Sequence, residues 1–136
     1  MKHIKLICIV FVLFACKQEP SFDVSLLQTE IPATGNSWTV NDVHKSSEVV
    51  TQDGITNWQD DNDIIRTYFY TEKETTIPFG IIAKGISEIK ISFNDQTEIV
   101  NLDNTEFDTI YVGNYASSGK GYHHIDIQGI SKTTET

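Results

Sequence analysis

Three groups of residues in this chain are of types that bind or react. The first is the run at 53–63, Asp-Gly-Ile-Thr-Asn-Trp-Gln-Asp-Asp-Asn-Asp, which sets Trp58 beside Asn57 and the carboxylates of Asp60, Asp61 and Asp63. A flat aromatic ring carried by a polar loop can stack on the C–H face of a sugar while neighbouring amides and carboxylates read its hydroxyls. The same ring serves equally well as a core plug in an all-β domain. Hard oxygen ligands at this density suit calcium, which takes six to eight of them, so a structural calcium on Asp60, Asp61 and Asp63 is the one cofactor the run offers. The spacing is not that of an EF-hand loop, and the alternative is a solvated acidic turn.

The second group is at 64–70, Ile-Ile-Arg-Thr-Tyr-Phe-Tyr, where period-two alternation puts Arg66, Tyr68 and Tyr70 on one face and Ile65, Thr67 and Phe69 on the other. An arginine beside two tyrosines makes a platform for a sugar or a carboxylate-bearing sugar, and is also an ordinary outward sheet face. The third is at 119–132, GKGYHHIDIQGISK, with His123, His124 and Asp126. In a strand, Tyr122, His124, Asp126 and Gln128 face one way and His123, Ile125 and Ile127 the other. The two histidines therefore cannot converge on one metal, and zinc would need ligands from elsewhere. His123 is expected to be partly buried on the core face. His124 and Asp126 form a polar pair on the opposite face, able to hydrogen bond or to help hold a ligand.

Catalysis finds little support in these residues. A glycosidase needs two carboxylates facing each other across roughly 5–10 Å, which spacing inside one acidic loop does not promise. No nucleophile-elbow context accompanies the serines. The expectation is a non-catalytic protein.

The elements that must position these groups are short strands. Residues 88–93 alternate cleanly, with Ile89, Ile91 and Phe93 on one side and Glu88, Lys90 and Ser92 on the other. A three-residue loop at 94–96 would oppose Phe93 to Thr97 and Ile91 to Ile99, giving a hairpin that runs on to Leu102. Further strands are expected at 38–43, 64–70, 76–83, 107–112 and 122–129, with weaker ones at 22–27 and 48–51. Trp38 alternates with Val40 and is assigned to the core. Pro78 lacks an amide donor, so its strand should lie at an edge or start later. Seven or eight short strands without a convincing helix indicate an all-β antiparallel sandwich or barrel.

The first fifteen residues place Lys2 and Lys5 ahead of an apolar run from Leu6 to Ala15, the layout of a secretory signal and too short for a membrane span of ~20 residues. The end of that run, Leu-Phe-Ala-Cys at 13–16, has the form of a bacterial lipobox, so Cys16 is expected to be lipidated and to become the N-terminus. Lys17-Gln18-Glu19 partly resembles the signal that sends lipoproteins to the outer face of the outer membrane; the periplasmic face is the alternative. With Cys8 discarded and Cys16 lipidated, no thiol remains for a disulfide or a metal. The expected domains are a signal peptide at 1–15, lipidated Cys16 and tether at 16–26, and one β-sandwich at 27–136.

The chain carries a net charge of −9, moving to −11 once Lys2 and Lys5 leave with the signal. Such a balance argues against nucleic acid and anionic headgroups as partners, since phosphate binding needs a basic patch. Membrane contact is expected only through the lipid.

Several pieces then occur in order: IPATGNSW at 31–38, DGITNW at 53–58, Tyr68-Phe69, and Gly121-Tyr122 through DIQGISK at 126–132. Together they resemble a family of secreted bacterial β-sandwich domains of unknown function, the one numbered 5077, whose members usually stand N-terminal to a second uncharacterised domain. The resemblance implies a jelly-roll-like sandwich similar to carbohydrate-binding modules, in a glycan-handling context, and supplies no catalytic residues. This chain departs from the pattern by stopping at Thr136, which reads as a sandwich closed by its N-terminal strand or as a truncated remnant. The combined expectation is a lipid-anchored glycan-binding module acting through Trp58, Asn57, Asp60, Arg66, Tyr68, Tyr122, His124 and Asp126. The alternative partner is another exported protein.

Overall fold

The computed structural model describes residues 23, 27, 29–41, 49–56 and 58–132. The signal, the lipobox, Asn57 and most of the weaker strand at 22–27 fall outside them. Seven strands follow in order: β1 (Ser37–Thr39), β2 (Val50–Thr51), β3 (Gly54–Ile55), β4 (Ile64–Thr71), β5 (Thr75–Phe93), β6 (Gln96–Ser117) and β7 (Gly121–Lys132). Five form one antiparallel sheet in the order β1-β4-β7-β5-β6, and β2 with β3 makes a separate hairpin.

The sandwich arises because the β5–β6 hairpin doubles back on itself. A straight strand of 19 residues would run about 60 Å. Yet Phe79 and Phe93, fourteen positions apart on β5, both lie in ring contact with Tyr115 of β6, at 5.8 and 5.1 Å. Two register breaks, between Phe79 and Gly80 and between Ala83 and Gly85, supply the bend. At the second, Ala83 opposes Asp108 while Gly85 opposes Asn104, so Lys84 faces three residues of β6. Unequal residue counts of this kind bend the strand and increase its twist. Gly85 takes φ 133°, a backbone state that residues with a Cβ rarely adopt. Asn104 secures the corner, its Nδ2 donating to the carbonyls of Ala83 at 2.6 Å and Glu106 at 2.8 Å.

The far half of the hairpin thus lies over the sheet of β1, β4, β7 and the near half. Between the layers sit Ile89, Ile91, Phe93, Val100, Leu102, Tyr115 and Ile125, with Phe69, Phe79, Ile81, Ile110, Val112 and Ile127 packed around them. Ile65 and Ile91 are wholly buried, as the alternation of β4 and β5 predicts. Gly80 is required at a second close approach, since a Cβ there would meet Leu27 Cδ1 at 2.7 Å and the Ile110 carbonyl oxygen at 2.9 Å.

Several expectations are corrected. Residues 76–83 and 88–93 belong to one bent strand, and 107–112 is part of the longer β6. The turn between β5 and β6 has two residues, not three: Phe93 opposes Gln96, and Asn94 takes φ 51°, which asparagine tolerates. That one-position change puts Val100 and Leu102 inside and leaves Ile99 50% exposed, because side chains alternate faces. Trp38 is not in the core either. It is 53% exposed and Val40 45%, while Ser37 faces inward at 3% and shares a 2.8 Å hydrogen bond with Thr67.

Other expectations hold. Pro78 falls where β5 pairs on one side only, with β6, so its missing amide leaves no gap in the sheet. The histidine-bearing β7 lies between β4 and β5, pairing with β4 over residues 121–128 and with β5 from Asp126 to Lys132. His123 faces the core, stacked near Phe69 at 5.6 Å and Phe93 at 6.2 Å. Its Nε2 lies 2.8 Å from Thr71 Oγ1 and 3.0 Å from the Gly119 carbonyl oxygen.

Candidate functional site

The register gathers the outward residues of β1, β4 and β7 into rows. Trp38 stands opposite Arg66, and Arg66 opposite Asp126. Tyr68 stands opposite His124, and Tyr70 opposite Tyr122. From Arg66 to Tyr70 the strand rise covers about 13 Å, and from β1 to β7 two strand spacings cover about 10 Å, so the patch is large enough for a small ligand to lie across it.

Aromatic rings dominate it. Trp38 meets Tyr68 at 5.5 Å and 66°, Tyr68 meets the His124 ring at 5.8 Å and 55°, and Tyr70 meets Tyr122 at 5.2 Å and 69°. Tyr122 is 79% exposed, an uncommon situation for a large ring and one that leaves its face open to a ligand.

The polar centre of the patch is a forked ion pair. Arg66 Nε and Nη2 donate to Asp126 Oδ1 and Oδ2, each at 2.7 Å. Such parallel contacts fix both planes and are stronger than neutral hydrogen bonds. The bond to Asp126 holds the guanidinium well above its ordinary pKa, with burial opposing and the nearby Tyr68 raising it further. Asp126 is thus held by Arg66, not by His124 as the sequence pairing suggested, because the arginine lies directly across the ladder. His124 instead leans on Tyr68.

A turn at 33–36 positions β1. Ser37 N and Asn36 N both donate to the Ala33 carbonyl, at 2.9 and 3.1 Å, and the Asn36 carbonyl accepts from Tyr68 N at 2.8 Å. This anchoring is what aligns Trp38 with Arg66.

The acidic loop has a different arrangement. Trp58 is half-buried, packs against the core cluster and donates its Nε1–H to the Asp60 carbonyl at 2.9 Å. It plugs the sandwich end and is not part of the exposed ring patch. Asp60 Oδ1 accepts from the backbone and side-chain nitrogens of Asn62, at 2.8 and 2.9 Å. Asp61 lies against Gly129, where an added Cβ would come within 3.1 Å of Asp61 Oδ1. Asp63 is buried. Asn41 ties the loop to β4, donating to the Asn62 carbonyl and accepting from Ile64 N at 2.6 Å. Among the described residues, no three His, Cys, Asp or Glu side chains are grouped so as to hold a metal. Nor is any helix among them long and apolar enough to cross a membrane.

Of the residues singled out in the sequence, Arg66, Tyr68, Tyr122, His124 and Asp126 come together on the sheet face. Trp58 and Asp60 lie apart from it, in the loop at 58–63. Tyr70, the second tyrosine of the expected Arg66 platform, belongs to the patch, and so does Trp38, which was expected in the core. The facing of Ser37 and Trp38 follows from the β1–β4 register, which sets Ser37 opposite Thr67 and which no local signal in the sequence gives.

The fold is an antiparallel, jelly-roll-like β-sandwich, similar in form to carbohydrate-binding modules, with an aromatic and polar patch on one sheet face. The family described as Domain of unknown function (DUF5077) matches residues 31–136, and the chain belongs to it. No curated protein matches the chain.

Proposed function

We propose that this domain is a non-catalytic glycan-binding module whose site is the outer face of β1, β4 and β7. The observation that carries the reading is the ring group on this face, the exposed Trp38, Tyr70 and Tyr122 with the half-buried Tyr68, around the Arg66–Asp126 pair. Aromatic faces stack on sugar C–H surfaces, and a fixed pair of donor and acceptor groups reads hydroxyls. Trp38 takes the stacking role that the sequence suggested for Trp58. The sequence further supports a lipid on Cys16 that holds the domain at the outer membrane, on the cell surface or the periplasmic face.

Affinity electrophoresis of the protein in gels containing soluble polysaccharides tests the assignment. Wild type is retarded by at least one glycan, and Trp38→Ala loses roughly tenfold in affinity, as expected for about 1.4 kcal/mol of lost stacking. Equal retardation of Trp38→Ala and wild type would place the site elsewhere.

A second reading, docking onto another exported protein, draws on the outer edge of β6, which pairs with no strand among the described residues, and on Phe107 beside it at 65% exposure. Co-purification of one partner from membranes, unaffected by Trp38→Ala, would favour it.

A further inference from the structure

We infer that the ligand of this face is a soluble chain of uncharged sugars, and neither an acidic polysaccharide nor a crystalline polymer surface. The inference rests on the glycan reading above and specifies the ligand class.

Charge at the site favours a neutral ligand. Arg66 is the cation at the centre of the rings, and its Nε and Nη2 are already matched by the two oxygens of Asp126 at 2.7 Å. A uronate carboxylate seeking Arg66 would have to displace Asp126 or settle beside it, and two carboxylates at hydrogen-bond range repel. Lys90, on the same outward face by alternation, lies opposite Gln128, one row beyond Asp126 and on the side away from Tyr68 and Tyr122. Lys120, at the far end, is paired with Glu72 at 3.3 Å. The chain as a whole carries −9, which further disfavours a polyanion.

Hydroxyl chemistry favours the same ligand class. A sugar hydroxyl both donates and accepts, so it is best met by a donor and an acceptor held side by side. The Arg66–Asp126 fork supplies both in fixed geometry, with neutral total charge, next to the Trp38–Tyr68 corner.

Ring geometry completes the case. A crystalline polymer presents a plane, and binding it requires rings lying in one plane. Here neighbouring rings tilt by 66°, 55° and 69°, which gives a stepped corner that a single twisted chain can follow and a flat lattice cannot.

The test is affinity electrophoresis of the full chain against soluble neutral polysaccharides (mixed-linkage glucan, xyloglucan, galactomannan) and acidic ones (polygalacturonate, alginate), with sedimentation on crystalline cellulose and chitin. The expected result is Trp38-dependent retardation by a neutral chain, no retardation by the acidic polymers and no sedimentation. Asp126→Asn, which keeps the shape and removes the charge that matches Arg66, is expected to gain at least a few-fold affinity for an acidic polymer. Trp38-dependent binding of wild type to an acidic or crystalline polymer would overturn the inference while leaving the glycan reading intact. The absence of any gain in Asp126→Asn would overturn the charge argument. Binding to none of these polymers would overturn the glycan reading and the inference with it, while binding indifferent to Trp38→Ala would place the glycan site off this face and overturn the inference.

Discussion

The two-residue turn at 94–95 decides which residues of β6 enter the core, and a pair of substitutions tests it. Leu102 is 8% exposed and packs among Ile91, Phe93 and Val100. Ile99, three positions earlier and equally apolar, is 50% exposed. Leu102→Ala removes buried methyl groups and leaves a cavity, which costs about 3 kcal/mol. Ile99→Ala gives up surface already half in water and should cost less than about 1 kcal/mol. For a domain of this size, each kcal/mol corresponds to a fall in melting temperature of roughly 4–8 °C. Leu102→Ala should therefore melt at least ~12 °C below wild type, with Ile99→Ala close to it. Urea denaturation followed by near-ultraviolet circular dichroism reads both variants, and an unchanged m value would confirm that only stability moved. Equal losses, or a larger loss for Ile99→Ala, would mean that the hairpin uses the three-residue loop and the opposite face of β6, and the core described above would be wrong.

Tyr115 offers a second test, since it is 2% exposed and its hydroxyl has no hydrogen-bond partner among the described residues. Tyr115→Phe should stabilise the fold by about 1 kcal/mol, read as a higher urea midpoint, and a destabilised variant would reveal a partner for the hydroxyl. Burial, then the nearby Glu98 and Tyr111, pushes the Tyr115 pKa above its ordinary 10.0. The folded state therefore holds this proton more tightly than the unfolded chain does. The associated stability is fully present below pH 10 and is lost as pH rises through the raised folded value, so Tyr115→Phe should flatten the alkaline limb of a stability–pH curve. Trp58→Ala should lower stability by about 3 kcal/mol in thermal melts, because the ring plugs the sandwich end; a near-neutral result would mean that it is presented to solvent instead.

The parts of the fold that were legible in the sequence are those written in local alternation. Ile65 and Phe69 face inward while Arg66, Tyr68 and Tyr70 face outward, as period two requires. The same holds for Ile89, Ile91 and Phe93, and for His123 against His124. Features set by partners far along the chain were not legible. Trp38 looked apolar and therefore buried, but in a three-residue strand the neighbour across the ladder decides the facing, and Thr67 selects Ser37 for the interior. The Arg66–Asp126 fork joins residues 60 positions apart and follows only from the β4–β7 register. The doubled-back hairpin depends on register breaks that alternation cannot show, although Gly80, Gly85 and Asn104 are the residue types such a bend requires.

The central claim, that sugars bind over Trp38, has one direct optical test, because the chain contains two tryptophans. In Trp58→Phe, a substitution that keeps an aromatic plug, Trp38 is the remaining indole. Titration with the neutral glycan that retards the wild type should give a saturable change in its emission, with a midpoint matching the gel affinity. A gel-proven complex that leaves the Trp38 emission unchanged at saturation would contradict the assigned site.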